Sequence, residues 1–133
     1  MNASSEAEVL RARAVALGET SSSTDARELE GLLKSPFPAV RRAAASALGK
    51  LVDRASDLRG LLVVPLTAAI EKELRPQVLQ YLLKTLRKCA DRLTVLHLDV
   101  LRDVVRNPNH PAYVRDAANE AIAAAEAAEE KCR

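Results

Sequence analysis

The sequence predicts an all-α fold: an α-solenoid (α/α superhelix) of about three antiparallel helix pairs plus one N-terminal helix. Three observations carry this expectation. The apolar residues are mainly Ala, Leu and Val, and the only aromatics are Phe37, Tyr81 and Tyr113. A β-sandwich would fill its pleated faces with aromatic and β-branched side chains, whereas Ala-rich stretches carry the highest helix propensity. Next, a pattern returns along the chain. Setting Val40 on Val78 matches Pro38 to Pro76, Leu48 to Leu86 and Lys50 to Lys88. Setting Val40 on Val114 matches Arg41 to Arg115, Ala44 to Ala118 and Leu48 to Ile122. Val9 on Val40 places Ala12, Ala14, Ala16, Leu17 and Gly18 on Ala43, Ala45, Ala47, Leu48 and Gly49. The anchors Val9, Val40, Val78 and Val114 lie 31, 38 and 36 residues apart, a period typical of helical solenoids. Last, Pro36, Pro38, Pro76, Pro108 and Pro111 fall where one helix must stop and the next begin.

The elements follow in order. An unpaired opening helix carries Val9 to Leu17, and Gly18-Glu-Thr-Ser-Ser-Ser reads as a loop. The first pair opens with Asp25–Lys34, where Leu29, Leu32 and Leu33 share a face and Thr24 or Asp25 suits the N-cap. Its second helix is the Ala-rich run from Pro38. Asp57-Leu-Arg-Gly60 reads as another loop. The second pair opens with Val64–Leu74, with Pro65 in the first turn, where a missing N–H costs little, and closes with the helix from Pro76. The third pair is Val95–Arg106, with Leu98, Leu101, Val104 and Val105 on one face, followed by Tyr113–Ala128. The whole chain, 1–133, is expected to form one repeat domain, with a half repeat at about 5–18 and full repeats at about 24–53, 61–92 and 95–128. The last helix turns acidic at Glu126, Glu129 and Glu130, the polar outer face a closing repeat needs.

Charge and cysteine usage narrow the function. A net charge of +2 gives no global attraction to nucleic acid or acidic membranes. Locally, residues 75–115 hold eight basic and three acidic side chains, while 1–34 and 116–133 are net acidic. Cys89 and Cys132 are far apart and have no CxxC spacing, which argues against a zinc framework or a disulfide scaffold. Cys89 falls at an apolar helix position. The longest apolar run, Leu61–Leu66, is too short to span a bilayer, and the polar start Asn2–Glu8 has no leader-like apolar core. The expected location is cytoplasmic, and the expected state a monomer without cofactor.

Lys34–Leu51 resembles the second half of a HEAT repeat, close to the short variety named after phycobilisome lyases. The marks are proline in the turn, Val40-Arg41 opening the second helix, and an Ala-rich run ending Leu48-Gly-Lys-Leu51. Val-Arg returns at Val114-Arg115 but becomes Val78-Leu79 in the middle copy. The resemblance covers roughly residues 6–126 and is most marked in the first full repeat. It implies that Arg41 and Arg115 bond between neighbouring repeats, and that second helices line a concave binding side.

Enzymatic patterns are missing. Gly18, Gly31, Gly49 and Gly60 are isolated, so there is no phosphate loop, and no nucleophile elbow or HExxH occurs. HEAT-type hydroxylases carry His-Glu pairs, but here His97 precedes Leu98 and His110 precedes Pro111. HEAT-like alkylpurine glycosylases use tryptophan, which this chain lacks, and no tetrapyrrole pocket of the bilin-lyase kind is evident. Asp99 and Asp103 share a helix face beside Arg102 and Arg106 and read as exposed ion-pairing groups.

The expected function is therefore binding of an unidentified protein partner, not catalysis. On the middle second helix, Val78, Leu82, Leu86 and Cys89 point inward, while Gln80, Lys84, Arg87, Lys88 and Asp91 point outward. Carried across copies, the outward rows are Arg42/Gln80/Asp116, Ser46/Lys84/Glu120 and Gly49/Arg87/Ala123. A phosphate-tracking groove would want Lys or Arg throughout; these rows grade from basic to acidic. The expected contact residues are Arg42, Lys84, Arg87, Asp116 and Glu120. The alternative is nucleic-acid backbone binding through Lys84, Arg87, Lys88, Arg92, Arg102 and Arg106.

Overall fold

The structure, a computed structural model, describes residues 2–20 and 23–132, which form seven α-helices and no strand. They are α1 (Ala3–Leu17), α2 (Ser23–Leu32), α3 (Pro38–Arg54), α4 (Arg59–Lys72), α5 (Pro76–Lys88), α6 (Val95–Arg106) and α7 (Ala112–Lys131). Helices α1, α3, α5 and α7 stack in sequence as one layer, and α2, α4 and α6 each pack on the second helix that follows. The array is an all-α solenoid of an unpaired opener and three helix pairs.

Local chemistry explains most boundaries. The Asn2 side chain caps α1 by accepting from the Ser5 N–H at 2.9 Å. Pro38 and Pro76 open α3 and α5, where the first turn needs no N–H from them. At the start of α6 the Thr94 N–H donates to His97 Nδ1 at 2.9 Å, so this histidine serves as a cap. The expected N-cap residues Thr24 and Asp25 lie inside the first turn of α2, where Asp25 suits the positive end of the helix dipole. The loop residues Ser21 and Ser22 lie outside the described residues.

Some boundaries differ from the sequence reading, most of all at α4. A 3-10 turn at Ser56–Leu58 runs directly into α4, which starts at Arg59 and ends at Lys72. Gly60 is therefore helical, and Pro65 lies inside the helix, not in its first turn. Burial of Leu58, Leu62, Val63 and Leu66 selects helix across both breaker residues. Pro65 only removes the N–H that would bond back to the Leu61 carbonyl. The last helix also runs longer than expected, to Lys131.

The core is aliphatic. Leu29, Leu48, Leu51, Leu62, Leu66, Leu82, Leu86 and Leu101 are fully buried, with Val40 and Val114. Small residues let the second helices approach closely: Ala44, Ala45, Ala117, Ala118 and Ala121 are buried between them. Gly49, expected on an outward row, is buried as well. A Cβ on it would stand 3.0 Å from Thr85 Oγ1 and 3.4 Å from Lys88 Nζ, so α5 covers that point of α3.

Candidate functional site

Polar bonds fix each second helix on the next. Thr85 Oγ1, buried, donates to the Ala45 carbonyl at 2.7 Å. Lys88 Nζ donates to Asp53 at 2.7 Å and to the Gly49 carbonyl at 3.3 Å. Arg54 ties α3 back to the Gly18 and Thr20 carbonyls. Between the first and second pairs, the Arg41 guanidinium holds Glu73 with two bonds of 2.8 and 3.1 Å and donates to the Ser35 carbonyl at 2.9 Å. Burial pushes the Glu73 carboxyl up. The Arg41 bonds and charge, with the Arg75 and Leu74 N–H groups, outweigh that and hold it below the usual carboxylate range. Arg41 thus bridges repeats as expected. Arg115 does not: it makes no ion pair among the described residues, and its Nε is buried without a hydrogen-bond partner.

On the ridge of α3, α5 and α7, Arg42, Lys84, Arg87, Asp116 and Glu120 are all exposed. The Tyr81 ring organises the middle of this ridge. Arg42 lies 4.9 Å and Lys84 Nζ 5.5 Å from its centroid, both within cation–π reach. The Arg42 hydrogen bond and charge, with Lys84, hold the phenol below its ordinary value. Arg87 and Glu120 bind each other at 3.1 Å. Of the other outward positions, Gln80 and Ser46 are half-buried and Ala123 is exposed.

The six cations of the nucleic-acid alternative are spread more widely. Lys84, Arg87 and Lys88 stand on α5, Arg92 on the turn after it, and Arg102 and Arg106 on α6 of the other layer. Four already have carboxylates: Arg87 has Glu120, Lys88 has Asp53, Arg92 has Asp91 at 3.5 Å and Arg102 has Asp99 at 3.3 Å. Cys89 is fully buried, and burial pushes its thiol up to about 11. A thiol so placed is a packing group, not a nucleophile. His110 sits in the turn before α7 near Asn107. No helix among the described residues is long and apolar enough to cross a membrane.

A concavity lies on the other layer. α2 does not pack closely on α4, and between them runs a groove of about 980 Å³. Leu33, Val64, Pro65, Ala68, Ala69 and Leu74 form its apolar part, and Arg27, Lys34, Lys72 and Arg75 its basic part. The Arg41–Glu73 pair also lines it. Gly31 faces open space there, since a Cβ on it would meet no atom within 4 Å.

Residues 27–55, most of α2 and all of α3, match the family model of the HEAT repeat. That segment, under half of the chain, is similar to a HEAT repeat. HEAT repeats generally mediate protein–protein interaction or scaffolding, and the family is typically non-enzymatic. No curated protein and no solved structure matches the chain.

The matched segment contributes to each candidate surface: Arg42 on α3 to the ridge, and Arg27 and Gly31 on α2, with Lys34 in the turn after it, to the groove. Sequence reasoning found the ridge by carrying positions between copies. It missed the groove, for which the available signal was apolar residues beyond what the core requires. Leu61, Val64, Leu74, Val95 and Leu96 are all more than half exposed, on α4, on α6 or in the turn after α4.

Proposed function

We propose that this chain is a protein-interaction scaffold whose partner docks on the ridge of α3, α5 and α7. The observation that carries the reading is the bracing of that ridge. Arg42 and Lys84 are gathered on Tyr81, and Arg87 is joined to Glu120, so charges from three successive helices are presented on one face before any partner arrives. Positioning side chains in advance reduces the ordering cost of association, and mixed charge of this kind selects partners and steers encounter. Arg42 and Lys84 meet acidic groups of the partner, and Asp116 with Glu120 its basic groups. Phosphate-backbone binding is the weaker fit, because most of its cations already carry carboxylates. Kinship with the phycobilisome-lyase variety rests on the marks in Lys34–Leu51, and this reading does not need it.

The test is affinity capture from the native host, comparing wild type with Lys84→Glu, Arg87→Glu. Both side chains are exposed, so stability should change by only about 0.5 kcal/mol. The expected outcome is loss of one or more proteins that the wild type retains. An Arg87→Glu, Glu120→Arg exchange separates pattern from fold, since it keeps the pair but inverts its direction. Capture of every wild-type partner by both variants would remove the ridge from consideration. Selective loss of bound nucleic acid, with a steep dependence on salt, would favour the alternative.

A further inference from the structure

The ridge leaves unexplained the groove between α2 and α4, which lies on the opposite layer and is built from different chemistry. The geometry points to this groove as the seat of an acidic, amphipathic helical segment of a partner protein. Its volume of about 980 Å³ exists because the facing positions are small: Gly31 on α2, and Pro65, Ala68 and Ala69 on α4. Leu33 supplies a buried floor, and Val64 and Leu74 remain 68% and 91% exposed at its edge. Val64 and Ala68 also line a smaller cleft of about 250 Å³ with Leu96 and Val100. The apolar surface therefore continues over α4 onto α6. Contiguous exposed apolar surface of this kind marks interaction sites.

Charge decides the occupant. Five basic side chains line the groove, Arg27, Lys34, Arg41, Lys72 and Arg75, against two acidic ones, Glu30 and Glu73. Glu73 is taken up by Arg41. Burial raises the Glu30 carboxyl above its ordinary value while Arg27 and Lys34 pull it down. Lys72 and Arg75 have no ion pair among the described residues, so the α4 side offers two unspent cations above an apolar floor. The groove is flanked by helices on both sides, and its α2 wall, Arg27 to Leu32 with the turn to Lys34, spans about 10 Å, two turns of an occupant. That suits a helix presenting leucine-like anchors at i, i+3 or i+4, and i+7, with Glu or Asp on its flanks.

The probe is a synthetic amphipathic helix of about 18 residues, with Leu anchors and Glu flanks, titrated against the full chain by fluorescence anisotropy. A twin peptide carries Lys in place of every Glu. Saturable binding is expected, with amide shifts at Gly31, Ala68 and Ala69 and at least tenfold weaker binding of the twin. Lys72→Glu, Arg75→Glu should weaken the Glu peptide at least tenfold, and Ala68→Trp, which fills the groove from an exposed position, should do the same. The ridge variant Lys84→Glu, Arg87→Glu should bind it as wild type does, so failure of one surface does not imply failure of the other. Absence of saturable binding, equal binding of both peptides, or indifference to Ala68→Trp and to the double reversal would each overturn the assignment. Self-association of the chain that Ala68→Trp abolishes would give the groove to a second copy, and would overturn it equally.

Discussion

Two glycines show how one residue type answers to different surroundings. Gly31 lies inside α2 facing the open groove. Gly18 closes α1, where a Cβ would stand 2.8 Å from Ala47 Cβ and 3.0 Å from Ala47 Cα. Neither has a positive φ, so backbone strain does not enter and space alone decides. Gly31→Ala removes the glycine penalty in an exposed helix and should stabilise the fold by about 0.5–1 kcal/mol. Gly18→Ala drives a methyl against the short, rigid Ala47 and forces α1 away from α3, at a cost of about 1–3 kcal/mol. Thermal melts of the two variants should move in opposite directions; movement in the same direction would show that α1 is not seated on α3 as described. Gly18 aligns with Gly49, and both are buried where one helix of the layer meets the next, although the sequence reading put Gly18 in a loop and Gly49 on an outward row.

Among the elements, α5 has the sharpest division of faces. Val78, Leu79, Leu82, Leu83 and Leu86 are buried, while Lys84, Arg87 and Lys88 are exposed. Leu86→Ala should cost about 2–5 kcal/mol. Leu74→Ala, at a side chain 91% exposed, should stay within about 0.5 kcal/mol; denaturant midpoints of the two variants make the comparison. This helix was legible in the sequence because its proline start and 3.6-residue spacing agree. α4 was only partly legible. Gly60 and Pro65 are local breakers, and the burial of Leu58 and Leu62 that overrides them depends on α5 and its neighbours, which no window of α4 contains. The Arg87–Glu120 bond was within reach, since Glu120 lies one turn before the counterpart of Arg87 on α7. Lys88 stands in the same relation to Asp53. The groove was legible only as surplus apolar residues such as Val64 and Leu74, because its width depends on how far α2 stands from α4.

At the scale of the whole molecule, stability in a stacked array is a sum of units and the junctions between them, and the junctions here differ in chemistry. Arg41–Glu73 joins the first pair to the second, whereas Leu79 stands at the equivalent place in the second pair. Glu73 is 4% exposed and Arg41 20%, so removing the carboxylate leaves a guanidinium partly desolvated. Glu73→Gln should cost about 2–3 kcal/mol, less than the loss of a fully buried pair, because Arg41 keeps water access and its bond to the Ser35 carbonyl. The Glu73 carboxyl is held below its ordinary value in the folded state. Its contribution is therefore complete above the usual carboxylate range and is lost as pH falls through the folded value. Acid should weaken the first junction more than the second, where the exposed Arg87–Glu120 pair adds little. Wild-type stability should decline as pH drops below about 4.5, and Glu73→Gln should be less stable at neutral pH with a shallower acid limb. Hydrogen exchange would locate the effect, with amides of α2 and α3 losing protection before those of α6 and α7. Parallel acid limbs for wild type and Glu73→Gln would mean that the pair does not couple the first repeat to the rest.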